Sequence, residues 1–123
     1  MASLQALSNV HFLGRRPVAE LPAFMQACDA CIMPYRHNEW TRNISPLKLY
    51  EYLAMGKLVV VPLLSHLVGI PDVLLSKNQE EFITNLQLAL DTSIDSGRAR
   101  GFIENNSWKK RVEQIIALTP GQH

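Results

Sequence analysis

The sequence predicts an α/β domain with a mostly parallel sheet, and three observations lead to this prediction. The chain has 123 residues, enough for one hydrophobic core and too few for two. Hydrophobic residues make up 47% and charged residues 19%, which is typical of globular proteins and not of disordered chains. Short strand-like segments alternate with segments of helical periodicity. We predict one domain over 1–123, with its core at 9–118 and flexible termini at 1–8 and 119–123.

The first third of the chain predicts a strand, a helix and a second strand. Residues 9–14 alternate in polarity and end at a glycine, which is typical of a strand and a turn. Residues 19–28 carry apolar side chains at helical spacing. Residues 30–35 predict a buried strand end, and Pro34 stops its pairing because proline has no amide proton to donate.

The middle of the chain predicts a loop, a helix and a buried strand. Residues 36–45 are polar and predict a loop. We expect Ser45 to be the N-cap of the next helix and Pro46 its first helical residue. Gly56 ends this helix, and the β-branched run at 57–61 then predicts a short buried strand.

The last part of the chain predicts one more strand, at 71–76, and three helices. The first of these helices is expected to pack through Phe82, Ile83, Leu86, Ala89 and Leu90. A link at 92–97 leads to a short helix at 98–105, and Ser107 predicts the cap of a final helix. The inner face of that helix is expected to hold Trp108, Val112, Ile115, Ile116 and Leu118.

Charge and hydropathy argue against several functional classes. The formal net charge is +1, from 12 basic and 11 acidic residues, and proteins that bind nucleic acid usually carry a larger basic excess. No run approaches the roughly 20 apolar residues of a membrane span, and the start of the chain lacks the pattern of a signal peptide. We therefore expect a cytoplasmic protein without a transmembrane segment and without a nucleic acid partner.

The two cysteines, Cys28 and Cys31, have the C-x-x-C spacing of a redox pair or of half a zinc site. Cys28 falls at a predicted helix end and Cys31 at a strand start, and no second cysteine pair completes a zinc site. We expect both to be buried free thiols in a reducing compartment. The histidines are scattered, so no metal site is predicted.

The polar loop at 36–45 feeds directly into a helix, and in a parallel sheet ligands bind beyond the carboxyl ends of the strands. Free amides of Leu47 and Lys48 at the helix start, together with the Lys48 ammonium, favour an anion. Glu51 lies one turn further on and could accept hydrogen bonds from a ribose diol. Alternatively, Lys48 and Glu51 form an ordinary surface ion pair at i,i+3 spacing.

Three segments resemble the group-1 glycosyltransferases of GT-B fold. They are 9–14 with the Glu-Leu-Pro that follows, the block Ser-Pro-Leu-Lys-Leu-Tyr-Glu-Tyr-Leu-Ala-Met-Gly-Lys at 45–57, and the Asn-Ser-Trp at 106–108 before a helix. The resemblance implies a three-layer Rossmann-like donor-binding domain that holds a UDP-, GDP- or ADP-linked sugar. It also implies that the family domain's first two strand–helix units and its acceptor domain are not in this chain.

The family signature is a pair of glutamates, and the second of them matches Glu51. The first falls on Asn43, a departure from the pattern, and Glu39 is a nearby carboxylate that could contact the sugar in its place. The resemblance places nucleotide-sugar binding on Glu51, Ser45, Leu47, Lys48, Gly14 and Arg15. Gly14 and Arg15 match the segment beside the nucleobase; the alternative is a solvated turn.

Two functions from different classes follow. The first is the nucleotide-sugar-binding part of a glycosyltransferase in polysaccharide biosynthesis, inactive on its own, in the cytoplasm or peripheral at the inner face of the membrane. The second is a non-catalytic module whose open sheet edges pair with a partner chain or in a homodimer. A receiver-like signalling domain is disfavoured because acidic residues do not cluster at the predicted strand ends.

Overall fold

The computed structural model describes residues 2–92 and 98–119. Within these residues the chain forms three strands and seven α-helices, with single 3₁₀ turns at Val18–Glu20 and Ser65–Leu67. The strands are β1 (Cys31–Ile32), β2 (Val59–Pro62) and β3 (Val73–Ser76). The helices are α1 (Ala2–Gln5), α2 (Leu21–Ala27), α3 (Glu39–Arg42), α4 (Leu47–Ala54), α5 (Gln79–Asp91), α6 (Arg100–Asn105) and α7 (Trp108–Leu118). None of the described helices is long and apolar enough to cross a bilayer.

The three strands form one parallel sheet in the order β1-β2-β3, which confirms the predicted α/β class. Val59 of β2 lies opposite Cys31 of β1 and Val73 of β3, so β2 is the central strand. The carboxyl ends of all three strands therefore meet along one edge of the sheet. The loops that leave this edge are positioned to form a binding site.

Helices cover both faces of the sheet, which makes the domain three layers thick. Side chains alternate along a strand, and in β2 Val59 and Val61 point to one face. There they pack with Leu49 of α4 and with α6, whereas Val60 points to the other face and packs with Ala89 of α5. The three valines are fully buried, which confirms the prediction of a short buried strand in this β-branched run.

The helix α4 ends as predicted but begins differently. Gly56 has a φ of 67°, the left-handed conformation that glycine adopts most readily at the end of a helix. At the other end the N-cap is Pro46, which has a ψ of 112°, and no side chain caps the helix. Ser45 thus lies one residue too far out, and the prediction that it caps the helix is wrong. Pro46 is itself extended, so the prediction that it is the first helical residue is also wrong, and the helix begins at Leu47.

The predicted strand at 9–14 is absent, and this prediction is wrong. The segment has no strand conformation, and Phe12 and Leu13 are both exposed. A strand needs a neighbour to receive its backbone hydrogen bonds, and 9–14 pairs with none of the three described strands. Local alternation therefore identified a strand-like segment without a partner.

The predicted loop at 36–45 contains the one-turn helix α3, which sequence analysis missed. Asn38 Oδ1 accepts a hydrogen bond from the Thr41 amide at 2.9 Å, and Thr41 Oγ1 accepts one from the Asn38 amide at 3.0 Å. These reciprocal bonds form a capping box. They give the polar loop a defined shape where it leaves the sheet.

Two predicted apolar faces are exposed in whole or in part. In α7 the cap by Ser107 is confirmed, but Trp108, Val112, Ile115, Ile116 and Leu118 are all exposed, so the prediction of an inner face is wrong. In α5, Phe82, Leu86 and Ala89 pack on the sheet while Ile83 and Leu90 are exposed. Helical periodicity shows that a face is apolar but not whether another element covers it.

The terminal and thiol predictions have mixed outcomes. Cys31 is buried as expected, whereas Cys28 is exposed and its thiol donates to the Phe24 carbonyl at 3.2 Å. The expectation that both thiols are buried is therefore wrong for Cys28. Part of the predicted flexible start forms α1. Residues 93–97 of the predicted link and 120–123 of the predicted flexible end lie outside the described residues.

Candidate functional site

The amino end of α4 brings a cation and a carboxylate together. Lys48 Nζ donates to Glu51 Oε2 at 2.6 Å, and both side chains are partly exposed. The i,i+3 pair considered as the alternative interpretation is thus present. Because no side chain caps the helix, the first amides after Pro46 are available as backbone donors to an incoming ligand.

A cavity of about 530 Å³ lies beside this helix end, between α4 and the segment that carries α6 and α7. Its volume is in the range of small-molecule sites. One wall is formed by Ser45, Leu47, Tyr50, Glu51 and Ala54. The other wall is formed by Ile103, Asn106, Ser107, Trp108 and Arg111.

An aromatic and cationic arrangement joins the two walls of the cavity. Tyr50 stacks on Phe102 with ring centroids 5.8 Å apart, and the Arg111 guanidinium lies 5.9 Å from the Tyr50 centroid. Arg111 Nη2 also donates to the Tyr50 hydroxyl at 3.4 Å. Trp108 is 78% exposed at the rim. The cavity therefore combines a carboxylate, a guanidinium and an exposed indole, which together suit a polar ligand with a flat ring.

The structure brings together only some of the predicted site residues. Ser45, Leu47 and Glu51 line this cavity, and Lys48 reaches it through its pair with Glu51. Tyr50, Trp108 and Arg111 were not predicted as site residues. The signal that could have found them is the Asn-Ser-Trp block, which contributes Trp108 directly.

Four predicted residues lie elsewhere. Gly14 and Arg15 are exposed in the loop before α2, and neither lines any of the described cavities. Gly14 has a φ of 68° and open space around the position of a Cβ atom. Glu39 begins α3 and Asn43 follows it as its C-cap; both are exposed and outside the α4 cavity.

The buried thiol of Cys31 is not activated as a nucleophile. Burial and, to a smaller extent, the neighbouring Cys28 raise the pKa of Cys31 to about 11, although the nearby Lys57 ammonium lowers it. Burial is also the main cause that raises the pKa of Tyr52, near Lys48 and Glu51. The described residues contain no group of three or more His, Cys, Asp or Glu side chains arranged to hold a metal ion.

Comparison with known proteins shows the family of the chain. Residues 1–92 match the family described as Glycosyl transferases group 1. The chain is also 42% identical over 57 residues to a protein of Bacillus subtilis (strain 168) named "Putative teichuronic acid biosynthesis glycosyltransferase TuaH". That match covers 46% of this chain and 14% of the relative, so it is a match to a small part of a longer enzyme. No solved structure matches the chain. With three quarters of its length matched by the family, the chain belongs to the group 1 glycosyltransferases.

Proposed function

We propose that the chain is the donor-binding part of a glycosyltransferase and that a nucleotide-diphosphate-sugar binds at the amino end of α4. The observation that carries the proposal is the ion pair of Lys48 and Glu51 beside an uncapped helix start, with Glu51 lining a cavity of about 530 Å³. Glu51 falls on the glutamate of the family signature. A nucleotide-diphosphate-sugar carries both an anionic diphosphate and a ribose diol. The first suits Lys48 and the helix amides, and the second suits Glu51.

The chemistry assigned to each group follows from its type. The helix amides and Lys48 would bind the diphosphate, because they supply donors and positive charge. Glu51 would accept hydrogen bonds from the ribose hydroxyls. Glu51 would then replace part of its contact with Lys48 by contacts with the ribose, and the Lys48 ammonium would turn toward the diphosphate. Donors already in place beside the diphosphate would stabilise the charge that develops on it as the sugar leaves.

The substrate class and compartment extend the same proposal. The name of the Bacillus subtilis relative refers to teichuronic acid biosynthesis, and we propose a bacterial polysaccharide as the product here as well. The donor base would be uracil, guanine or adenine. The two free thiols are compatible with the cytoplasm, and the acceptor side of the reaction would require an acceptor-binding domain.

Calorimetric titration with UDP, GDP and ADP tests this function. We expect one nucleotide to bind, and Glu51→Ala to weaken it about 10- to 100-fold, since a hydrogen bond to a charged group contributes about 1.5–3 kcal/mol. The matched control is Glu104→Ala, which removes an exposed helical glutamate that is paired with Arg100 at 3.1 Å. This control should bind like the unchanged chain. Equal affinity of both variants would contradict the assignment of Glu51, and a folded chain that binds none of the nucleotides would contradict the donor site.

A second candidate function is a non-catalytic module that pairs through its sheet edge. The observation that favours it is the outer edge of β1, which no described strand covers, where Ile32 is 44% exposed. An uncovered edge is a template for another strand. Analytical ultracentrifugation of the chain, with Ile32→Lys as the disrupting variant, would detect a self-association that depends on this edge. A monomer at all concentrations would argue against self-association.

A further inference from the structure

The α4 cavity runs along most of its helix. Its α4 lining extends from Leu47, the first residue of the helix, to Ala54, the last. At 1.5 Å per residue this stretch is about 10 Å long. The proposed diphosphate position lies at Leu47 and the proposed ribose position at Glu51, one turn further on. The base, the next group of a nucleotide, would therefore lie further along the cavity, against the opposite wall. This α6–α7 wall is formed by Ile103, Asn106, Ser107, Trp108 and Arg111.

The α6–α7 wall offers one aromatic surface for stacking. Trp108 is 78% exposed at the cavity rim. Among the described residues, no aromatic ring stacks on its indole and no cation lies over it. Tyr50, which also lines the cavity, already contacts the Phe102 ring and the Arg111 guanidinium. Because stacking on an aromatic side chain is favourable for every base, Trp108 is the residue on which a base would stack.

Hydrogen-bond donors and an acceptor lie next to each other on the same wall. Arg111 Nε donates to the Asn106 backbone carbonyl at 3.3 Å, and Arg111 Nη2 donates to the Tyr50 hydroxyl at 3.4 Å. These bonds hold the guanidinium in place. In the described part of the chain it forms no salt bridge, and its Nη1 donates to no acceptor. Asn106 Nδ2 donates to the Phe102 carbonyl at 2.8 Å, whereas Asn106 Oδ1 accepts from no described group. The wall therefore presents the N–H groups of a guanidinium beside a carbonyl oxygen.

Guanine matches two donors beside an acceptor. Along one edge it carries N7, O6 and N1–H, which are two acceptors followed by a donor. A guanidinium bonds N7 and O6 of guanine with two parallel N–H groups, and the Asn106 Oδ1 carbonyl would accept from N1–H. Adenine has an amino group in place of O6, and uracil has a C–H group beside its O4, so neither offers the guanidinium two adjacent acceptors.

We propose that the α6–α7 wall binds the base of the donor, with Trp108 stacked on the base and with Arg111 and Asn106 selecting guanine. The inference rests on the proposed donor site and adds the identity of the base, so the donor would be a GDP-linked sugar. Gly14 and Arg15, which the family resemblance places beside the base, line none of the described cavities. In this chain the base would have its partners on the α6–α7 wall instead.

Calorimetric titration with GDP, inosine diphosphate, 7-deaza-GDP, ADP and UDP tests the assignment. Inosine diphosphate keeps N7, O6 and N1–H and lacks only the 2-amino group, so we expect its Kd to lie within about threefold of the Kd of GDP. The other three nucleotides each lose at least one of the two acceptors for Arg111. We expect each of them to bind about tenfold or more weakly than GDP, because hydrogen bonds to a charged group are among the stronger ones.

Variants of the wall test the residues. Trp108→Ala should weaken GDP binding about tenfold. Its matched control is Trp40→Ala, because Trp40 is 88% exposed in α3 and lies outside the α4 cavity. Arg111→Met should reduce the preference for GDP over ADP to about threefold or less, since the remaining hydrogen bond is a neutral one. Lys109→Met, which removes an exposed cation of α7 outside the described cavities, should leave that preference unchanged. Glu51→Ala should weaken GDP and ADP by the same factor, because both carry the same ribose.

Three results would overturn the inference: ADP or UDP bound as tightly as GDP, equal affinity of Trp108→Ala and Trp40→Ala for GDP, or an unchanged preference for GDP in Arg111→Met. The proposed donor site would survive each of them if Glu51→Ala still weakened the nucleotide that binds. A folded chain that binds none of the five nucleotides would contradict both proposals.

Discussion

Leu49→Ala tests whether the packing of α4 on the sheet holds the site in place. Leu49 is 0% exposed and packs in the same core cluster as Val59 and Val61. The substitution removes three buried carbons, at about 0.8 kcal/mol each, and leaves a cavity, so we expect a total loss of about 3–4 kcal/mol. A domain of this size is typically stable by about 5–15 kcal/mol, so the loss is a large fraction of the whole.

The measurement is urea denaturation, with far-ultraviolet circular dichroism as the signal that monitors unfolding. Leu47→Ala is the matched control, because Leu47 begins the same helix and is 64% exposed. We expect the control to lose less than about 1 kcal/mol. If Leu49→Ala lowers the free energy of unfolding no more than Leu47→Ala does, α4 does not pack on the sheet as described. The position assigned to Lys48 and Glu51 would then be wrong as well.

Two further predictions concern local stability. Asn78→Ala removes the acceptor of the Glu81 amide at 2.9 Å and should cost about 1 kcal/mol in urea denaturation; an unchanged midpoint would contradict the cap. The pKa of Cys31 is raised by burial from 9.0 to about 11, so the folded chain keeps a proton that the unfolded chain loses. Its contribution to stability is therefore complete below pH 9 and falls by up to about 3 kcal/mol as the pH rises to 11. Cys31→Ala should show a shallower decline over that range than the unchanged chain, and equal slopes would refute the assignment.

Sequence patterns predicted correctly those features that the segment's own residues determine. The β-branched run at β2 is buried on both faces, and the side chain of Ser107 caps α7 as the local sequence predicted. The predictions of a strand at 9–14 and of a buried apolar face on α7 failed for the same physical reason. Alternation and helical periodicity describe a segment by itself, whereas pairing and burial depend on a second element.

The same distinction applies to the residues of the candidate site. Glu51, Lys48 and Leu47 lie within one helical turn, so spacing alone places them together. Arg111 comes to the same cavity from 60 residues further along the chain, which no local pattern indicates.

The most direct test of the central claim is a crystal structure of the chain with the preferred nucleotide diphosphate bound. The account predicts phosphate oxygens at the amides of Leu47 and Lys48, the Lys48 ammonium turned toward them, and ribose hydroxyls within hydrogen-bond distance of Glu51. A nucleotide bound elsewhere, or at this place with the Lys48–Glu51 pair intact and no contact to either side chain, would contradict it.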